Sequence, residues 1–218
     1  MKTAAVDPRR FTAFIRAVIG PIARARPNSA HLAIAAAEKH CRLKVVTQNI
    51  DGLHQDAGST LVHEIHGTIL EVVTQPGGHT TSLKRETLLE IDSVLENLAQ
   101  SGLGLAQVMK ALQKLFGVGL DGARRPNLIL FGDQLAEPAW SLAQEAARSS
   151  DCLVQIGCSR VVWPASTLPE LARSAGAKTI AIDPSESDGD IWLKGKAAAI
   201  TPDLFNLAFE HGFGDSTA

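Results

Sequence analysis

The alternation of apolar and polar positions divides the chain into segments of helical and of strand period. Helical spacing runs from about Pro8 to Arg24, and after a Pro27-Asn28 turn a second helix is predicted through His40, with Ser29 as its cap. "RLKVVTQN" then reads as a strand, and the alternation in "LVHEIHG" predicts a short strand ending at Gly67. "TQPGGHTTS" reads as a loop on its Pro, Gly and Thr content, whereas Leu83 to Leu98 carries apolar residues at helical spacing. A Gly-rich break, "SGLG", precedes a second amphipathic stretch, "LAQVMKALQKLF".

From Pro126 strands and helices alternate. "NLILFGD", "DCLVQIGCS" and "KTIAIDP" read as buried strands that end in Gly, Ser or Asp, with the helical stretches "EPAWSLAQEAARSS" and "LPELARSAG" between them. Strands apolar on both faces need helices on both faces, so the predicted fold is α/β: a Rossmann-like, doubly wound parallel sheet. Residues 1–67 and 126–218 form that core in this reading, and residues 68–125 a small helical lobe. Ligands of such sheets sit at the carboxyl ends of the strands. "TQNIDGLHQDAG", Thr47 to Gly58, lies at one of those ends and concentrates amides, carboxylates and a histidine there.

Composition narrows the picture. At 218 residues and 45% hydrophobic content, the chain can bury a core without disulfides or metal. Its net charge of -2 comes from 21 basic and 23 acidic residues spread along the chain, which gives neither a nucleic-acid-binding stripe nor a polybasic membrane anchor. No apolar run approaches the roughly 18 residues that span a bilayer, and "MKTAAVDPRRF" lacks the apolar centre of a secretory signal, so a cytoplasmic setting is expected. Cys41, Cys152 and Cys158 form no CxxC pair and are expected as buried thiols.

"TQNIDGLHQDAG", then "VHEIHG", "FGDQL", "IGCSRVVWPAS" and "IAIDP" occur in an order that resembles the sirtuin family of NAD-dependent protein deacylases. "RPNSAH" resembles the helix that leads into that core, and the likeness runs from Asp7 to Asp183 apart from the middle segment. The resemblance implies NAD as cofactor and an acyl-lysine protein or peptide as substrate. Cleaving the nicotinamide–ribose bond builds positive charge at the anomeric carbon, which calls for oriented amides and carboxylates and a nearby base. By similarity, Gln48 and Asn49 hold the ribose and order water around it, while Ile50 and Asp51 hold the nicotinamide. On residue types alone, the same block is also good turn chemistry after a strand.

His66, followed by Gly67, matches the family's catalytic base, and an imidazole accepts a proton near neutral pH with little tuning. "HEIH" is not the HExxH metal spacing, so no metal is expected at His63 and His66. Gly157, Cys158 and Ser159 stand where the family has Gly-Thr-Ser on the cofactor. Asp183 stands where it commonly has Asn, able either to accept from ribose hydroxyls or to cap a turn. Phe131, Gly132 and Asp133 resemble the Phe-Gly-Glu beside the substrate channel.

Two departures set this chain apart. The family's Gly-Ala-Gly-x-Ser loop and its first strand have no counterpart, so the chain reads as starting after them, with a central sheet edge exposed through which copies could associate. The zinc cysteines are also missing: residues 68–130 contain no cysteine and only His79 as a further ligand, so no zinc is expected. Three readings follow: a deacylase, a non-catalytic nucleotide- or peptide-binding module, and an NAD hydrolase.

Overall fold

A computed structural model of the chain describes residues 7–101, 104–119, 122–130, 132–158, 161–185 and 187–210. They fall into two compact units, one of Met1–Ala25, Ile50–Gly52 and Gly67–Leu130, the other of Arg26–Asn49, Leu53–His66 and Phe131–Ala218.

The first unit opens with the helix Pro8–Arg24, where the Asp7 side chain accepts from the Arg10 amide and Pro8 supplies the fixed φ of a first turn. Its buried stripe, Ile15, Ile19 and Ala23, recurs every four residues and packs on the helix Arg85–Ser101 through Leu88, Ile91 and Leu95. Ile69, Val72, Val108, Leu112 and Leu115 complete this core, and each fully buried leucine contributes about 2 kcal/mol. Among the described residues of the same unit one charge is buried: Asp92, its side chain 3% exposed, receives Arg16 at 3.1 Å and Arg24 at 2.5 Å.

The middle segment is less helical than its sequence suggests. His79–Ser82, Gly67–Gln75, Gly122–Leu128 and Val118–Gly119 form, in that order, a four-stranded antiparallel sheet. Most of "TQPGGHTTS", read as a loop, is hairpin: Thr74 pairs with His79 across a turn with Gly77 and Gly78 at positive φ. "NLILFGD" differs as well. Its first residues end the strand Gly122–Leu128, antiparallel to Gly67–Gln75, and Leu130 is exposed. A run of four apolar residues fits a parallel or an antiparallel strand equally well, and only the partner decides.

The second unit carries the parallel strands. Val45–Thr47 lies beside Val62–Glu64, and a separate sheet orders Cys152–Ile156, Lys178–Asp183 and Ile191–Lys194, all parallel. The helices Ser29–Ala37, Ala139–Ser149, Leu168–Ser174 and Ala197–Glu210 belong to the same unit, and the fold class is the Rossmann-like α/β expected. Ala143, Ala147, Ala165, Ala172 and Ala177 dominate its core around the fully buried Ile65; small side chains let helix backbones come close to the strands. The cap of the Ser29–Ala37 helix is Asn28, one residue before the expected Ser29. Cys41 and Cys152 are exposed instead of buried, because Cys41 lies in the loop before the first strand and Cys152 begins an edge strand. Among the described residues, no helix is long and apolar enough to cross a membrane.

Candidate functional site

The second unit brings together the carboxyl ends of four strands. The Val45–Thr47 strand ends where the Thr47 hydroxyl accepts from the Asn49 amide at 3.1 Å, which turns the chain out of the strand. The ladder runs one step further, with the Ile65 amide donating to the Thr47 carbonyl at 3.1 Å. This brings the next residues, Gln48 and His66, together: His66 Nδ1 lies 3.1 Å from the Gln48 carbonyl oxygen. A carbonyl only accepts, so Nδ1 carries the proton, and in the neutral ring Nε2 keeps the lone pair.

The Gln48 side chain reaches a third strand end, donating from Nε2 to Cys158 Sγ at 3.7 Å. Cys158 thus offers a soft acceptor in place of a hydroxyl. Gly157, before it, has φ +59, and a Cβ there would meet nothing within 4 Å, so a ligand can approach its backbone. Its amide donates to Ile182 at 3.0 Å, which adds the end of the Lys178–Asp183 strand. Asp183 follows directly, and its Oδ1 accepts from the Ser185 amide at 2.8 Å, so one carboxylate oxygen caps a turn. Gly132 and Asp133 are exposed in a turn, while Phe131 and Ser159 lie outside the described residues. Burial, with Lys44, pulls the His63 imidazole below its ordinary pKa against an opposing Glu145, so His63 is neutral at neutral pH.

Ile50 and Asp51 belong to the first unit, and both are half-buried. The Ile50 carbonyl accepts from the Ile69 amide at 3.1 Å and from the Thr68 hydroxyl at 3.5 Å. The Asp51 carbonyl accepts from Arg85 Nη2 at 2.5 Å. Arg85 was not found by sequence reasoning, because one arginine at the start of a polar helix face carries no motif. Residues 68–130 offer a single zinc-type donor, His79, so they do not fit a structural zinc.

Comparison with known proteins agrees with these observations. The Sir2 family model matches residues 1–164. A protein of Mycolicibacterium paratuberculosis named NAD-dependent protein deacylase is 34% identical over 167 residues, covering 75% of this chain and 61% of that protein. NAD-dependent protein deacylase 2 of Pyrobaculum aerophilum is 34% identical over 188 residues, covering 84% of this chain and 66% of its own length. The chain therefore spans less than two thirds of either relative. Among solved structures, an ADP-ribose complex of a Sir2 homologue mutant superposes with a TM-score of 0.73 at 25% identity, covering 96% of this chain and 78% of that one.

Proposed function

The chain belongs to the Sir2 family, and we propose on that premise that it is an NAD-dependent protein-lysine deacylase, with His66 as its base. The observation that carries this reading is the hydrogen bond from His66 Nδ1 to the Gln48 carbonyl, since it leaves Nε2 free to take a proton from a ribose hydroxyl. The names of the relatives support the cofactor and reaction class, and the ADP-ribose in the homologue structure supports the nucleotide. When bound, NAD supplies an activated bond between nicotinamide and ribose.

The residues present fit such a ligand. The backbone at Gly157 is open to a phosphate or ribose, and the strand end beside it carries the amide of Gln48. In this proposal Gln48 and Asn49 hold the ribose and order water, and Ile50 and Asp51 hold the nicotinamide. Gly157, Cys158, Ser159 and Asp183 hold the rest of the nucleotide, with Asp183 using the carboxylate oxygen that does not cap the turn. Phe131, Gly132 and Asp133 pair with the backbone of an acyl-lysine peptide. A cytoplasmic setting belongs to the same proposal, supported by three thiols that form no disulfide.

One observation favours a second reading, a nucleotide- or peptide-binding module without turnover. The parallel strands of the second unit form two sheets instead of one, so Val45–Thr47 and Cys152–Ile156 each have a ladder partner on one side only among the described residues. Such edges also support self-association, which light scattering over a concentration series tests.

Nicotinamide release from NAD, with and without an acetyl-lysine peptide and in wild type and His66→Ala, separates the readings. Peptide-dependent release that vanishes in the variant is the expected result. Release without peptide points to NAD hydrolysis, and no release in any mixture leaves the binding module.

A further inference from the structure

We propose that Arg85 is a positioning residue: its guanidinium sets the backbone of Asp51, and through it the nicotinamide contact assigned to that residue. The inference rests on the function proposed above for its ligand, but the geometry stands by itself. Arg85 is the first residue of the Arg85–Ser101 helix and half-buried. Its Nη1 donates to the Ile22 carbonyl at 2.6 Å and its Nη2 to the Asp51 carbonyl at 2.5 Å. One planar fork therefore joins all three chain segments of the first unit.

Both acceptors lie where the backbone has few amides to offer. Ile22 lies in the last turn of the Pro8–Arg24 helix, where its carbonyl accepts at 3.2 Å from the Ala25 amide, which it shares with the Pro21 carbonyl, and where a cation complements the helix dipole. Asp51 lies in a three-residue excursion, Ile50–Gly52, with no ladder of its own. That excursion is pinned at each residue. Ile69 and Thr68 hold the Ile50 carbonyl, and Arg85 holds the next one. Gly52 turns at φ +68 so close to Leu70 that a Cβ would lie 2.6 Å from Leu70 Cδ1. With the carbonyls before and at Asp51 fixed and the following residue confined to a glycine conformation, the backbone sets the direction of the Asp51 Cα–Cβ bond. Arg85 ties this arrangement to the Pro8–Arg24 helix. A lysine there would carry a single ammonium that cannot meet both carbonyls in the same fixed geometry.

The test compares wild type, R85A and R85K by calorimetric titration with NAD and with nicotinamide, by kinetics, and by hydrogen exchange of the ligand-free chain. R85A is expected to weaken nicotinamide about tenfold and to raise KM for NAD by a similar factor, with KM for the acetyl-lysine peptide within twofold. R85K should recover part of the loss. In the ligand-free chain, exchange of the amides around Asp51 should quicken about tenfold in R85A. A merely structural role would lower the melting temperature and leave nicotinamide affinity and KM for NAD unchanged, and that result overturns the inference. A wild-type chain that binds neither ligand would instead overturn the proposed function. Exchange would then decide the hold on Asp51 separately, and unchanged rates in both variants would overturn it.

Discussion

His66 Nδ1 and the Gln48 carbonyl oxygen are 3.1 Å apart, so the imidazole of one strand end is oriented by the backbone of its neighbour. The bond involves no Gln48 side-chain atom, which leaves that amide on Cys158. His66→Ala is expected to reduce nicotinamide release by about a hundredfold or more, the usual contribution of a positioned base. NAD affinity should change by less than about threefold, because the base acts in the reaction more than in binding. Calorimetry beside the release assay checks both parts.

Gly67 follows that histidine at φ +72, and a Cβ there would lie 2.0 Å from the Asn127 carbonyl oxygen. Backbone on the facing strand cannot give way as a flexible side chain can. Gly67→Ala is expected to cost about 2–4 kcal/mol, read as a fall in the urea midpoint with little change in slope.

Asp92 is buried between Arg16 and Arg24. Burial opposes its ionisation, but the hydrogen bonds from Arg24 and Arg16 outweigh that and hold its carboxyl below the ordinary value. A folded-state pKa lowered in this way gives stability that is full above the unfolded pKa of about 3.9 and is lost as pH falls through the folded value. Asp92→Ala should cost about 3–5 kcal/mol at neutral pH by leaving the arginines without their partner. Asp92→Asn should flatten the stability profile below about pH 4, measured by urea titrations at a series of pH values.

Cys41 and Cys152 are exposed yet poorly disposed to react. Burial of the sulfur environment, then the charge of Asp151, raises both thiols above their ordinary pKa, with Glu38 adding to the effect on Cys41. Since the thiolate is the nucleophile, alkylation at pH 7 should be slow and should climb with pH beyond the usual range near 8.5. Asp151→Asn should speed both; mass spectrometry of iodoacetamide-treated protein measures it.

Much of this was legible in the sequence, for reasons that differ by element. The Pro8–Arg24 helix shows its Asp-Pro start and apolar stripe directly. His66 and the block from Gln48 to Asp51 stand out by their resemblance to the sirtuin motifs, since on residue types alone the block is also good turn chemistry. The hairpin of Thr74 and His79 was hidden because its strand residues, Thr and Gln beside Pro and Gly, look like loop, and their pairing depends on a partner far along the chain. Arg85 was hidden for a similar reason: its acceptors are carbonyls, which every residue has, and they lie 63 and 34 positions away.

The division of the chain has a consequence for how it can form. Each unit is stitched from three separate stretches, so the polypeptide changes unit at residues 25/26, 49/50, 52/53, 66/67 and 130/131. No single cut yields either unit as one fragment. During synthesis the unit that carries His66 stays unfinished until its last stretch, from Phe131, has emerged, and its core must wait for partners such as Ala143 and Leu168 to pack on Ile65. Assembly therefore needs distant pairings, which close slowly, and the polar cluster at the strand ends depends on them.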